Sequence, residues 1–117
     1  YEASMHAAVL ARLALEAELR AALPDPAAGG FTVVYQPVVD LGTGHVVSVE
    51  ALLRWTLASG VAVPPSTFVP LAEETGAILA LGRWVLQAAC DELAAWEAAL
   101  PAGRAPSMAV NLSARQL

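Results

Sequence analysis

Val46–Trp55 reads VVSVEALLRW, a run with the β-branched and aromatic content of a buried strand that carries Glu50 in its middle and Arg54 near its end. Side chains alternate along a strand, so Val47, Val49, Ala51, Leu53 and Trp55 form one wholly apolar face, suited to packing on helices. Val46, Ser48, Glu50, Leu52 and Arg54 form the other, the only one with polar groups. Glu50 and Arg54 are four residues apart, which on a strand is about 13 Å and too far for a close ion pair. A lone strand glutamate is ordinarily solvated or paired with an arginine; here the arginine on its own strand is out of reach.

The segment before it, Phe31–Val39 (FTVVYQPVV), is equally strand-like, and the six residues between, DLGTGH, are hairpin-loop residues. The two strands are expected to be antiparallel neighbours, with Pro37 marking an edge or an irregularity. Gln36 shares a face with Thr32, Val34 and Val38. A loop over Thr56–Ser66 leads to a short helix, for which Thr67 is the expected cap. Pro70 is then expected in the first turn and Gly76 as the terminating glycine. A longer helix is expected from about Ile78 to Leu100. Its buried stripe is Ile78, Leu81, Val85, Ala88, Ala89, Leu93, Trp96 and Leu100, opposite Arg83, Gln87 and Asp91. PAGRAP (Pro101–Pro106) breaks the chain, and SMAVNL (Ser107–Leu112) reads as a third strand with Ala109, Asn111 and Ser113 on one face. Strand, strand, helix, helix, strand contains a β–α–β unit after the hairpin. That predicts parallel pairing of the second and third strands and an open α/β fold or the start of a barrel.

Upstream, Met5–Leu23 predicts a helix with Ala8, Ala11, Leu15, Leu19 and Ala22 on an apolar stripe beside Arg12, Glu16 and Arg20; Val9 and Leu13 fall among the charges. The turn-rich PDPAAGG (Pro24–Gly30) ends it. This helix reads equally as a packing element and as a connector between domains.

Composition narrows the function classes. The 117 residues suffice for one small domain; 57% are hydrophobic and 15% charged, and the net charge is −5. All six basic residues are arginine. An acidic chain lacks the basic stripe that a DNA or RNA duplex requires. The longest uncharged stretch, Trp55–Ala72, is broken by Gly60, Pro64, Pro65 and Pro70, so no membrane segment or signal peptide is expected here. The single cysteine, Cys90, is expected as a small buried helix residue in a reducing compartment. The first residue is Tyr1 and no terminating signal surrounds Leu117, so the sequence reads as cut at both ends.

Gln36, Glu50 and Asn111 place one amide or carboxylate on each of three strands. If those faces converge, they form a pocket of hard oxygen donors suited to Mg²⁺, Mn²⁺ or Ca²⁺; no His cluster or Cys pair supports zinc.

The stretch YQPVVDLGTGHVVSVEALLRW (Tyr35–Trp55) resembles the opening of the EAL-domain family, the bacterial cyclic di-GMP phosphodiesterases. The naming triplet here is Glu50-Ala51-Leu52. PPSTFVPLAEETG (Pro64–Gly76), LGRWVLQAACDELAAW (Leu81–Trp96) and VNLSARQL (Val110–Leu117) follow in the family's order. The resemblance covers residues 31–117 and implies a TIM-like (β/α) barrel with its first strand antiparallel, incomplete here with three strands present. It implies hydrolysis of cyclic di-GMP to linear pGpG with Mg²⁺ or Mn²⁺. By position it makes Glu50 a catalytic metal ligand and Asn111 a second ligand. Gln36, Leu52 and Arg54 become substrate-binding residues, with Arg54 toward a phosphate.

Met5–Leu23 is similar to the helix that joins a GGDEF domain to an EAL domain. The expected division is therefore 1–28 as connector helix and linker and 29–117 as the amino-terminal part of the EAL domain. The parent is expected to be a cytoplasmic signalling protein with an upstream GGDEF or sensory domain, with any membrane segment outside this stretch; a homodimer is one assembly open to it. The family's DDFGTG stretch, catalytic Lys and further acidic ligands have no counterpart in these residues, so they alone are expected to be inactive. Two other readings stay open: an EAL-like receptor that binds cyclic di-GMP without hydrolysing it, and a partner-binding or dimerising unit.

Overall fold

The computed structural model describes residues 2–111. The elements run α1 (Glu2–Ala22), β1 (Phe31–Val39), β2 (Val46–Thr56), β3 (Ala62–Val63), α2 (Pro65–Thr75), α3 (Ala77–Ala99) and β4 (Ser107–Val110). The expected third strand is β4; of the VNLSARQL stretch, Val110 and Asn111 are described, and residues 112–117 lie outside the described residues. A two-residue strand, β3, adds to the three expected.

β1 and β2 pair antiparallel over their whole length, with a register shift at Val38/Val39. The hairpin loop closes on Asp40. Its Oδ1 accepts the Gly42 and Thr43 amides at 2.7 and 3.3 Å, and its carbonyl accepts the Gly44 amide at 2.8 Å. On its other edge β2 carries β3, antiparallel at Trp55 and Thr56, and β4, parallel over Ser48–Ala51. The crossover from β2 to β4 through α2 and α3 is thus the expected β–α–β connection.

The apolar face of β2 behaves as its alternation dictates. Val49, Ala51, Leu53 and Trp55 are buried, while Val47 stays exposed at the strand's start. Leu53 and Trp55 pack with Phe31, Phe68, Leu71, Ile78, Leu81 and Val85 into one core. Phe31 stacks on Trp55 at 4.9 Å between ring centroids, and Phe68 meets both edge-on. Burying such side chains supplies about 1.5–3 kcal/mol each. The opposite face is open: Val34, Val38 and Val46 are all exposed, as expected for the concave side of a sheet that has not closed into a barrel.

Three local expectations need correction. α2 begins at Pro65, with Pro64 as the N-cap, so Thr67 is its third residue and Pro70 lies inside the helix. Proline fits the first helical position because its missing N–H has no partner there anyway. At Pro70 the bond to the Ser66 carbonyl cannot form. Cys90 is exposed: it lies seven residues after Arg83 and three after Gln87, on the same outward face. Leu100 is a half-exposed C-cap and does not extend the buried stripe. Gly76 does end α2, in the left-handed conformation at φ 81°.

The linker after α1 turns on two glycines. A Cβ at Gly29 would sit 2.3 Å from the Ala22 Cβ, and one at Gly30 (φ +96°) would sit 1.9 Å from the Thr56 carbonyl oxygen. Only glycine lets the linker pass between the end of α1 and the end of β2.

Candidate functional site

β2 and β4 are parallel, so their carboxyl ends point the same way, and α2 starts one short loop beyond the end of β2. The site is built there, on the open face of the sheet. Glu50 lies directly opposite Gln36 across the β1–β2 ladder and opposite Ala109 across the β2–β4 ladder. Cross-strand partners share a face, so Gln36 and Glu50 project together. Val110 stands opposite Ala51, which brings Asn111 level with Leu52 and places it diagonally, about 7–8 Å along the backbone, from Glu50.

Leu52, Arg54 and Asn111 line one small pocket of about 110 Å³, and Pro65, Phe68 and Val69 of α2 complete its wall. Of the expected site residues, the structure therefore gathers Leu52, Arg54 and Asn111 around one cavity and pairs Glu50 with Gln36 beside it. The α2 wall was not expected from sequence. Its signal was present: a helix starting ten residues after Trp55 must begin at the end of the sheet where β2 stops.

Glu50 is half-buried. Among the described residues it has no hydrogen-bond or ion-pair partner. Arg54 is exposed and bonds only the neighbouring Leu53 carbonyl, at 3.3 Å; among the described residues no carboxylate holds it. Among the described residues, a carboxylate with no cation and a guanidinium with no anion, on one face of one strand, are available to a cation and an anion respectively.

The donor set near Glu50 consists of oxygen donors, one carboxylate and the amides of Gln36 and Asn111. That fits a hard divalent cation and not a thiolate-bound one. Among the described residues no group of three or more His, Cys, Asp or Glu side chains converges.

A larger groove, about 590 Å³, is lined by Tyr35, Pro37, Val49, Trp96 and Arg104 among others. It lies on the helix-facing side of the sheet, away from Glu50. Tyr35 there donates to the Ala88 carbonyl at 3.4 Å and meets Trp96 edge-on. Burial, with Glu92 and Asp91 nearby, pushes its hydroxyl above the ordinary tyrosine value.

Comparison with known proteins gives a concordant result. The family model for the EAL domain matches residues 16–117. The oxygen sensor protein DosP of Escherichia coli is 40% identical over 114 residues, 97% of this chain and 14% of its own length. The bifunctional diguanylate cyclase/cyclic di-GMP phosphodiesterase MucR of Pseudomonas aeruginosa is 41% identical over 117 residues, 99% of this chain and 16% of its own length. The solved structure of the MucR phosphodiesterase in complex with c-di-GMP superposes with a TM-score of 0.71 at 37% identity, covering 84% of this chain and 39% of that one. The chain thus spans less than a fifth of the length of these curated relatives.

Proposed function

The chain belongs to the EAL domain family, and from that premise we propose that it is part of a metal-dependent phosphodiesterase that opens cyclic di-GMP to linear pGpG. The observation that carries the reading lies on the open face of β2: among the described residues Glu50 has no cation, and Arg54 bonds a backbone carbonyl but no anion.

Arg54 takes a phosphate of the cyclic dinucleotide, and Leu52 packs against the nucleotide in the pocket it shares with Asn111. Gln36 binds the same ligand from the neighbouring strand. Glu50 and Asn111 hold Mg²⁺ or Mn²⁺, which when bound supplies an activated water and neutralises charge on the phosphate. The carboxylate supplies the site's negative charge, and the Asn111 amide adds a second oxygen donor.

The same reading assigns residues 1–28 as a connector to an upstream GGDEF or sensory domain and 29–117 as the amino-terminal part of the EAL domain. It places the whole protein in the cytoplasm of a bacterium; no described helix is long and apolar enough to cross a membrane. Residues 1–117 alone do not complete the coordination sphere and are inactive by themselves.

The test is chromatographic. The full-length protein is incubated with cyclic di-GMP and Mg²⁺ or Mn²⁺, and the products are separated. Linear pGpG, lost on chelation, supports the reading. Tight binding with no turnover points to a nucleotide receptor, and neither binding nor turnover rejects the assignment.

A further inference from the structure

The buried apolar anchor of α1 is at its base. Leu19 and Ala22 are buried, and Leu15 and Leu23 pack partly against the core. Toward its start, Met5, Val9, Leu10 and Leu13 are exposed. Beneath this part lies a cavity of about 440 Å³ between α1 and α2, lined by Ala8, Ala11, Leu15, Thr67, Pro70 and Leu71. At its edge the Arg12 guanidinium bonds the Glu74 carboxylate.

α2 has a second role. Through Pro65, Phe68 and Val69 it walls the pocket that holds Leu52, Arg54 and Asn111. The linker behind α1 reaches the same helix by another route. The Trp55 indole N–H donates to the Gly29 carbonyl at 3.0 Å, and Trp55 meets Phe68 edge-on at 5.9 Å. Two ties therefore run from α1 and its linker to the helix that borders the site, one ionic and one aromatic.

We propose that α1 is a positioning element: its seating on α2 through Arg12 and Glu74 sets where Pro65 and Val69 stand beside Arg54 and Asn111, and so sets the site's affinity for its nucleotide. The inference rests on the cyclic di-GMP reading of that site. The cavity gives α1 room to close on α2 or lift from it about the buried Leu19–Ala22 base. An exposed ion pair is easily opened, so the seated and lifted arrangements are close in free energy. By linkage, nucleotide that favours the seated arrangement must hold α1 down by the same factor.

The test uses Arg12→Glu, Glu74→Arg and the double charge swap in the full-length protein. Arg20→Glu serves as control, because Arg20 pairs with Glu16 within α1. Each single variant is expected to raise KM for cyclic di-GMP about two- to fivefold, the scale of one exposed pair, with kcat held within about twofold. It should also speed amide exchange over residues 65–75. The swap restores both, and the control changes neither. Singles with wild-type KM and exchange, or a swap no better than the singles, overturn the proposal. Should the wild type not bind cyclic di-GMP, the nucleotide assignment fails, and the exchange data from the four variants still decide whether α1 positions α2.

Discussion

Gln36 and Glu50 stand directly opposite one another across the β1–β2 ladder, on the face of the sheet where Val34, Val38 and Val46 are exposed. That register sets the one glutamate of a hydrophobic strand beside an amide on the neighbouring strand. A shift of β1 by one residue would set Gln36 opposite Val49 or Ala51 and send its side chain into the core, where those two now pack.

Arg54→Ala is expected to raise KM for cyclic di-GMP about ten- to a hundredfold, the loss of one or two hydrogen bonds to a charged phosphate. Its melting temperature should barely change, because Arg54 is exposed and, among the described residues, held only by the Leu53 carbonyl. Steady-state kinetics beside a thermal melt check both parts.

Phe68→Ala removes the ring that bridges Phe31 and Trp55 and lines the Arg54 pocket. It should cost about 3–5 kcal/mol of stability, a large share of a total of about 5–15 kcal/mol. Denaturant unfolding measures the loss.

Gly30→Ala forces a side chain onto a residue at φ +96°, with its Cβ 1.9 Å from the Thr56 oxygen. The expected cost exceeds about 1 kcal/mol. Gly44→Ala, with nothing within 4 Å of the added carbon, meets only the positive-φ strain and should cost less. The difference between the two in one denaturation series isolates the close approach from the backbone conformation.

Tyr35 holds its proton more tightly folded than unfolded, first through burial and then through Glu92 and Asp91. A raised folded value means the unfolded chain loses the proton first as pH rises. The stabilisation from Tyr35 is therefore complete below about pH 10, the unfolded value, and is lost as pH climbs through the folded one. Stability should fall above about pH 10, and Tyr35→Phe should flatten that fall. Urea midpoints recorded at neutral and alkaline pH decide it.

Much of this was legible in the residues. β1 was readable to the residue because its limits are set by local chemistry, Gly30 before it and the Asp40 loop after. The antiparallel hairpin followed from loop length, and the parallel pairing of β2 with β4 from the helices between them. What escaped depends on distant partners. The start of α2 was misplaced because Pro65 and Pro70 are each acceptable in a first turn, and only packing of Phe68 and Leu71 on the core chooses between them. β3 is two residues long and exists only as a partner of Trp55 and Thr56. For the site, alternation put Gln36, Glu50 and Asn111 on polar faces. The register that brings Asn111 level with Leu52 passes through two helices, and no sequence pattern records it.

The central claim is that Glu50 holds the cation that drives phosphodiester hydrolysis. The direct measurement is cyclic di-GMP turnover by full-length wild-type and Glu50→Gln protein at saturating Mg²⁺ and then Mn²⁺, with nucleotide affinity measured alongside. Outer groups that merely orient a metal's ligands cost ten- to a hundredfold when lost, so removing the carboxylate itself should cut turnover by at least about a hundredfold. The account predicts that loss together with retained folding and nucleotide binding. Production of pGpG by Glu50→Gln at near the wild-type rate would contradict it.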